Sequence, residues 1–149
     1  MIMKRKIASL MLLIFSAAAF TGCAGNVTYN DGTYTGRSEV YESEDGVDNG
    51  NGYGEVTVTI KDGVITDCEY KTYEVDGTLK DENYGMEDGR IANKDFYNKA
   101  QKANAACAEY AQMLVQNGRL DGIDAISGAT INYDEFVQAV ENALAEAAQ

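Results

Sequence analysis

Between residues 54 and 75, apolar and polar positions alternate with the two-residue period of a β-strand. Val56, Val58 and Ile60 fall on one face, with Thr57 and Thr59 between them. Lys61-Asp62-Gly63 breaks the pattern and predicts a three-residue hairpin connection with Gly63 at positive φ. A return strand is expected from Val64 to about Val75. On it Val64, Cys68 and Tyr70 share one face, and Asp67, Glu69 and Lys71 point the other way. Asp31-Gly32-Thr33-Tyr34-Thr35-Gly36, β-branched and aromatic residues between glycines, predicts a short first strand. A two-stranded hairpin is marginal alone, so this strand is placed beside it and a helix across its apolar face.

The period then changes. From Lys94 to Asn117, Phe96, Ala100, Ala103, Cys107, Tyr110 or Ala111, and Leu114 recur at helical spacing, with Asn93 placed to cap the start and Gly118 the end. A last helix is expected from near Tyr133. Asn132 and Glu135 resemble a capping box, and Phe136, Val137, Val140, Ala143 and Leu144 form the buried stripe. The fold class is therefore α+β: a small antiparallel sheet, hairpin plus a further strand, packed against two helices. Residues 39–52 are acidic and rich in Gly and Asn, a loop. Residues 76–92 form a long polar connection, longer than most structural loops. In its middle, Asn83-Tyr84-Gly85-Met86 places an aromatic ring and a thioether that either lie on a planar ligand or cover the edge of the core.

The N-terminus has a different grammar. Lys4-Arg5-Lys6 precede a mostly apolar run from Ile7 to Phe20 without an acid, the pattern of a secretory signal and short for a membrane span. Ala19-Phe20-Thr21-Gly22-Cys23 resembles a bacterial lipobox, with Phe20 where Leu is usual. That resemblance implies a signal peptide over residues 1–22, a lipid on Cys23, a linker to residue 30 and a domain over 31–149 on the outer face of the cytoplasmic membrane. Removing residues 1–22 takes three bases and no acid, so the formal charge of −12 becomes −15. Such a balance argues against nucleic acid and against broad docking on anionic lipid, leaving the lipid to supply attachment. With no His anywhere, there is no Ser-His or Cys-His pair to propose, and zinc and haem sites are poorly supported. Cys68 and Cys107 form no CxxC. They are expected as buried free thiols, a disulfide being the alternative in an exported chain.

One stretch stands apart from the core patterns: Asp124-Ala125-Ile126-Ser127-Gly128-Ala129-Thr130. An acid is followed by small and hydroxyl residues just before a predicted helix. Gly128 and Ala129 permit a tight turn and a close approach. The helix start directs unpaired N–H groups and its positive dipole end at the turn, a place that suits a phosphate. On residue types alone, a plain loop and N-cap with nothing bound is the other reading.

Taken with Asp31 to Gly36, Gly52-Tyr53-Gly54, Lys61-Asp62-Gly63, Asn83-Tyr84-Gly85 and Asp95-Phe96-Tyr97-Asn98-Lys99-Ala100, this motif makes residues 31–144 resemble the FMN-binding domain family. The likeness is to lipoprotein members that act as extracellular electron-transfer flavoproteins. The resemblance implies that a flavin transferase, using FAD and a magnesium ion, attaches FMN through a phosphoester to Thr130. Ser127, Gly128 and Ala129 shape the turn, and Asp124 serves the modification. It implies electron relay from a membrane quinone-linked oxidoreductase to extracellular acceptors, an electron-transfer role rather than an enzyme with its own substrate. The alternative is a surface lipoprotein binding FMN or another phosphorylated ligand non-covalently. Tyr84, Met86 and Tyr133 are the candidate flavin neighbours; no catalytic side chain and no resident metal are expected. Ile131-Asn132-Tyr133 stands where Thr or Ser often follows the motif. If the negative charge lies near the flavin, it disfavours the anionic reduced form and lowers the potential.

Overall fold

The computed structural model describes residues 27–149. The signal peptide, Cys23 and the first part of the linker lie outside the described residues. Strands β1 (Gly32–Arg37), β2 (Tyr53–Lys61) and β3 (Val64–Tyr73) form one antiparallel sheet in that spatial order. Helices α1 (Lys94–Asn117) and α2 (Thr130–Ala147) cover one face, α1 over β3 and α2 over β1 and β2. This is the α+β arrangement that the periodicity predicts.

The alternation on β2 decides the core. Val56, Val58 and Ile60 are at most 1% exposed and pack with Tyr110, Leu114, Phe136, Ala139, Val140 and Ala143 of the helices. Thr33 and Thr35 face Thr59 and Thr57 across the other side of the sheet, hydroxyl to hydroxyl at 3.3 and 3.5 Å. Small residues set how near α2 lies. A Cβ on Gly36 would stand 1.9 Å from the Ala139 carbonyl oxygen and 2.4 Å from Ala143 N, so only glycine lets this helix touch β1.

Helix α1 has the predicted limits. Asn93 Oδ1 accepts from Phe96 N at 3.1 Å, and Gly118, left-handed, donates its N–H to Leu114 O. Four other expectations need correction. The hairpin has a two-residue turn: Asp62 (φ 53°) and Gly63 (φ 72°) lie between the paired Lys61 and Val64, the type I′ pattern that matches strand twist. A bulge shifts the register next to it, with Thr59 opposite Asp67 but Ile60 opposite Ile65. The extra residue reverses the alternation, so Ile65 is buried and Val64 is 57% exposed. Helix α2 starts at Thr130, ahead of Tyr133, and Ala129 holds the N-cap position. Asn132 and Glu135 are therefore not a capping box. Asn132 lies inside the helix and donates to Ala103 O at 3.2 Å, and Glu135 is turned into the core. Finally, Thr28 to Asn30, assigned to the linker, are tied to the domain. Tyr29 bridges Ala148, and Asn30 N donates to Ala147 O at 2.8 Å.

Among the described residues both cysteines, Cys68 and Cys107, are free. Cys107 is buried, whereas Cys68 is only partly so. Burial, then Asp67 and Glu69, push the Cys68 thiol up to about 12, so it offers no nucleophilic thiolate near neutral pH.

Candidate functional site

The Asp124–Thr130 motif is held by one side chain from α1. Tyr110, fully buried, donates its hydroxyl to Ala129 O at 3.1 Å and accepts from Ile126 N at 2.7 Å. Between these anchors Ala129 N donates to Ile126 O at 2.9 Å, closing a tight turn with Gly128 at φ 84°. That φ belongs to the left-handed region, where a Cβ costs energy. The turn feeds directly into α2 with no side-chain cap and no acid in the first turn. The first N–H groups of a helix lack partners within it, and here no capping side chain answers them.

Thr130 is exposed as the first residue of α2, and it lies on the wall of a cleft of about 330 Å³. That volume is at the lower end for small-molecule sites. Gly128, Ala129, Ile131 and Asn132 share its wall with Thr130. The long connection contributes Lys80 and Tyr84, and α1 contributes Phe96 and Lys99. Lys102 stands by the turn, its Nζ 3.5 Å from where a Cβ on Gly128 would be. Lys80 is 6% exposed and donates to Gly50 O at 2.9 Å. Burial lowers its pKa, while Glu135, Asp48 and Glu74 pull it back up. The Thr72 hydroxyl, 1% exposed and also on the cleft wall, has no hydrogen-bond partner among the described residues. Neither does the Tyr84 hydroxyl. Buried polar atoms are normally paired, so both hydroxyls keep hydrogen-bonding capacity, the Thr72 one beside the buried Cys107 and the Tyr84 one on the side of Asp48.

The candidate residues separate under this geometry. Ser127, Gly128, Ala129 and Thr130 are contiguous in one turn; Asp124 lies before it, exposed. Tyr84 reaches the cleft, 92% buried and edge-on to Phe96 with centroids 6.2 Å apart. Met86 lines a neighbouring groove instead. Tyr133 turns toward the core: its hydroxyl donates to Ile123 O at 2.9 Å and its ring packs on Tyr110. The condition on the flavin potential, negative charge close by, is not met on the cleft wall itself, whose charged residues are Lys80 and Lys99. Phe96 was assigned to the core stripe, yet it is half-buried and lines the cleft. Thr72, Lys80 and Glu135 carried no local signal, since they come from a strand, a loop and a helix far apart in sequence. Among the described residues no cluster of His, Cys, Asp and Glu suits a metal ion, and no helix is long and apolar enough to cross a membrane.

A helix start, three lysines, two aromatic rings and unpaired polar atoms around one cleft fit a ligand with a phosphate at one end and a flat, partly polar ring system at the other. A crystal structure of a protein from Clostridium perfringens matches at 21% identity and TM-score 0.56, covering 80% of this chain and 88% of that one. It shows the same fold. A solution structure of a protein from Clostridium thermocellum matches at 24% identity and TM-score 0.39, over 78% of this chain and 91% of that one. No curated protein matches the chain. The family model described as FMN-binding domain matches residues 49–145, which include the turn, the cleft and both helices. On that match the chain belongs to the FMN-binding domain family, a flavoprotein with FMN as its cofactor.

Proposed function

We propose that FMN is held covalently, as a phosphoester on the Thr130 hydroxyl, and that the protein is a lipid-anchored electron relay outside the cytoplasmic membrane. The observation that carries this reading is the position of Thr130. Its hydroxyl belongs to an exposed residue, accessible to a modifying enzyme, on the wall of the cleft that suits the flavin. In the attachment step the Thr130 oxygen bonds to the FMN phosphorus of FAD, AMP leaves, and the hydroxyl proton passes to solvent. A flavin transferase with its magnesium ion supplies the catalysis, so this chain needs only to present the turn. Lys99 and Lys102 would then balance the phosphate, and Tyr84 and Phe96 would flank the ring.

The bound flavin supplies the redox chemistry, accepting a pair of electrons and releasing them singly. The chain holds, orients and shields it. A covalent bond also solves a problem of place, because a cofactor bound loosely outside the cell is lost by dilution. A lipid on Cys23 would keep the domain beside a membrane quinone-linked oxidoreductase as electron donor. The terminal acceptors would lie outside the cell.

Co-expression with a flavin transferase tests the attachment. The expected product keeps flavin fluorescence through denaturing electrophoresis, and Thr130→Val loses it. Covalent fluorescence persisting in Thr130→Val rules out this acceptor. Colour lost from the wild type on denaturation identifies a non-covalent FMN protein.

A further inference from the structure

Glu135 is a buried acid that the electron-relay reading does not yet use. It lies on α2 behind the floor of the cleft, 3% exposed, and neither carboxyl oxygen has a hydrogen-bond partner among the described residues. A carboxylate so placed is costly unless something answers its charge. The answering groups are nearby. Lys80 from the long connection faces it, with one of its three donors committed to Gly50 O. Asp134 opposes it from its own helix, while Tyr70 of β3, Cys107 of α1 and Tyr84 of the connection feel its charge. From β2 the bare backbone of Gly54 approaches: a Cβ there would lie 3.0 Å from the Glu135 Cβ. Lys80 also lines the cleft, so the cation that offsets the hidden carboxyl is one that a ligand in the cleft would meet.

We propose that Glu135 is a redox-linked proton site, taking up a proton when the flavin in the cleft is reduced and releasing it on oxidation, with Lys80 carrying the coupling. The inference rests on the cleft being the FMN site and not on the covalent bond. Two electrons from an external donor and one proton from solvent leave one negative charge on the reduced ring. A second proton moves from solvent to a Glu135 oxygen and forms an O–H bond; reoxidation returns it. The new charge repels the carboxylate and draws on the lysine that offset it, and both effects favour the neutral acid. Burial already raises Glu135 to about 7, with Lys80 working against that rise, so the exchange falls in a neutral range.

The test compares FMN-loaded wild type with Glu135→Gln. Midpoint potentials are measured from about pH 5 to 9 by reductive titration against dyes. Each proton taken up per electron pair changes the equilibrium tenfold per pH unit, which is about 30 mV. Above about pH 7 the wild type is expected to gain one further tenfold per pH unit over an interval, and the variant is not. Reduced-minus-oxidised infrared spectra of the wild type near pH 8 should show a protonated carboxyl band appearing on reduction. This second readout decides the matter even if the variant fails to fold. Parallel slopes, or a wild-type difference spectrum with no carboxyl band, would overturn the proposal. Both readouts apply whether FMN is bound covalently or not. Loss of colour on denaturation therefore bears on Thr130 alone.

Discussion

Two hollows meet at the wall made by Tyr84 and Phe96, and they have opposite character. The one beside Thr130, of about 330 Å³, is lined by Lys80 and Lys99 and backed by the start of α2. The other is larger, about 580 Å³, and is lined by Asp48, Glu74, Asp81 and Glu87. In the acidic groove Glu74 is pushed up by burial and then by Asp76, Asp48 and Asp81, with Lys80 opposing, the signature of acids crowding one another. Volume alone would select the wrong hollow. Charge selects the smaller one, since a phosphate is attracted there and repelled by its neighbour. A chain with a net charge of −12 can thus keep a locally basic site by segregating its few cations.

The basic hollow also holds a buried acid behind it, and removing that acid is expected to have the largest effect. Glu135 is raised from 4.5 to about 7, chiefly by burial. The unfolded chain gives up this proton near 4.5 while the native chain keeps it. Stability is therefore lost as pH rises from about 4.5 to 7 and stays lower above that. At 1.36 kcal/mol per unit the loss is about 3 kcal/mol. Denaturant unfolding across this range should show Glu135→Gln gaining on the wild type by about that amount, while the Asp76 carboxyl, held low by the Thr78 N–H, contributes alike to both. A constant difference between the two proteins across pH would refute a buried, titrating Glu135.

Reversing the cations at the turn should weaken ligand binding next most. Lys99→Glu with Lys102→Glu, in a Thr130→Val background that confines FMN to reversible binding, is expected to cost about 2 kcal/mol, some 30-fold in Kd. Fluorescence quenching titrations measure it, and the loss should shrink at high salt because both side chains are exposed. The smallest effect belongs to the other hollow. Asp81→Asn with Glu87→Gln should change FMN affinity less than about twofold, since the pair is exposed or half-buried and lies across the wall. A comparable loss from both double variants would mean that the ligand spans the two hollows.

The contrast also marks what a single sequence discloses. Features set by local repetition were legible: the Val56-Val58-Ile60 face, and α1 between Asn93 and Gly118, where cap chemistry fixes both ends. The turn before Thr130 was legible because its small residues are contiguous. The start of α2 was not, since Asn132 and Glu135 imitate a capping box by spacing while tertiary contacts use both otherwise. Asn132 reaches α1, and Glu135 packs over Gly54. The bulge that exchanges Ile65 for Val64 follows from strand register, which no residue in the hairpin declares. The polar groups on the cleft wall and buried behind it were the least legible part. Thr72, Lys80 and Glu135 gain their meaning only when β3, the long connection and α2 converge.

The central claim is that Thr130 carries the flavin. Its most direct test is peptide-level mass spectrometry of the protein purified from cells that contain a flavin transferase. The expected result is the peptide spanning Asp124–Thr130 heavier by one FMN less one water, with fragment ions placing the addition on Thr130 and leaving Ser127 unmodified. FMN on Ser127 or on another hydroxyl, or an unmodified peptide from protein that is yellow before denaturation, would contradict it.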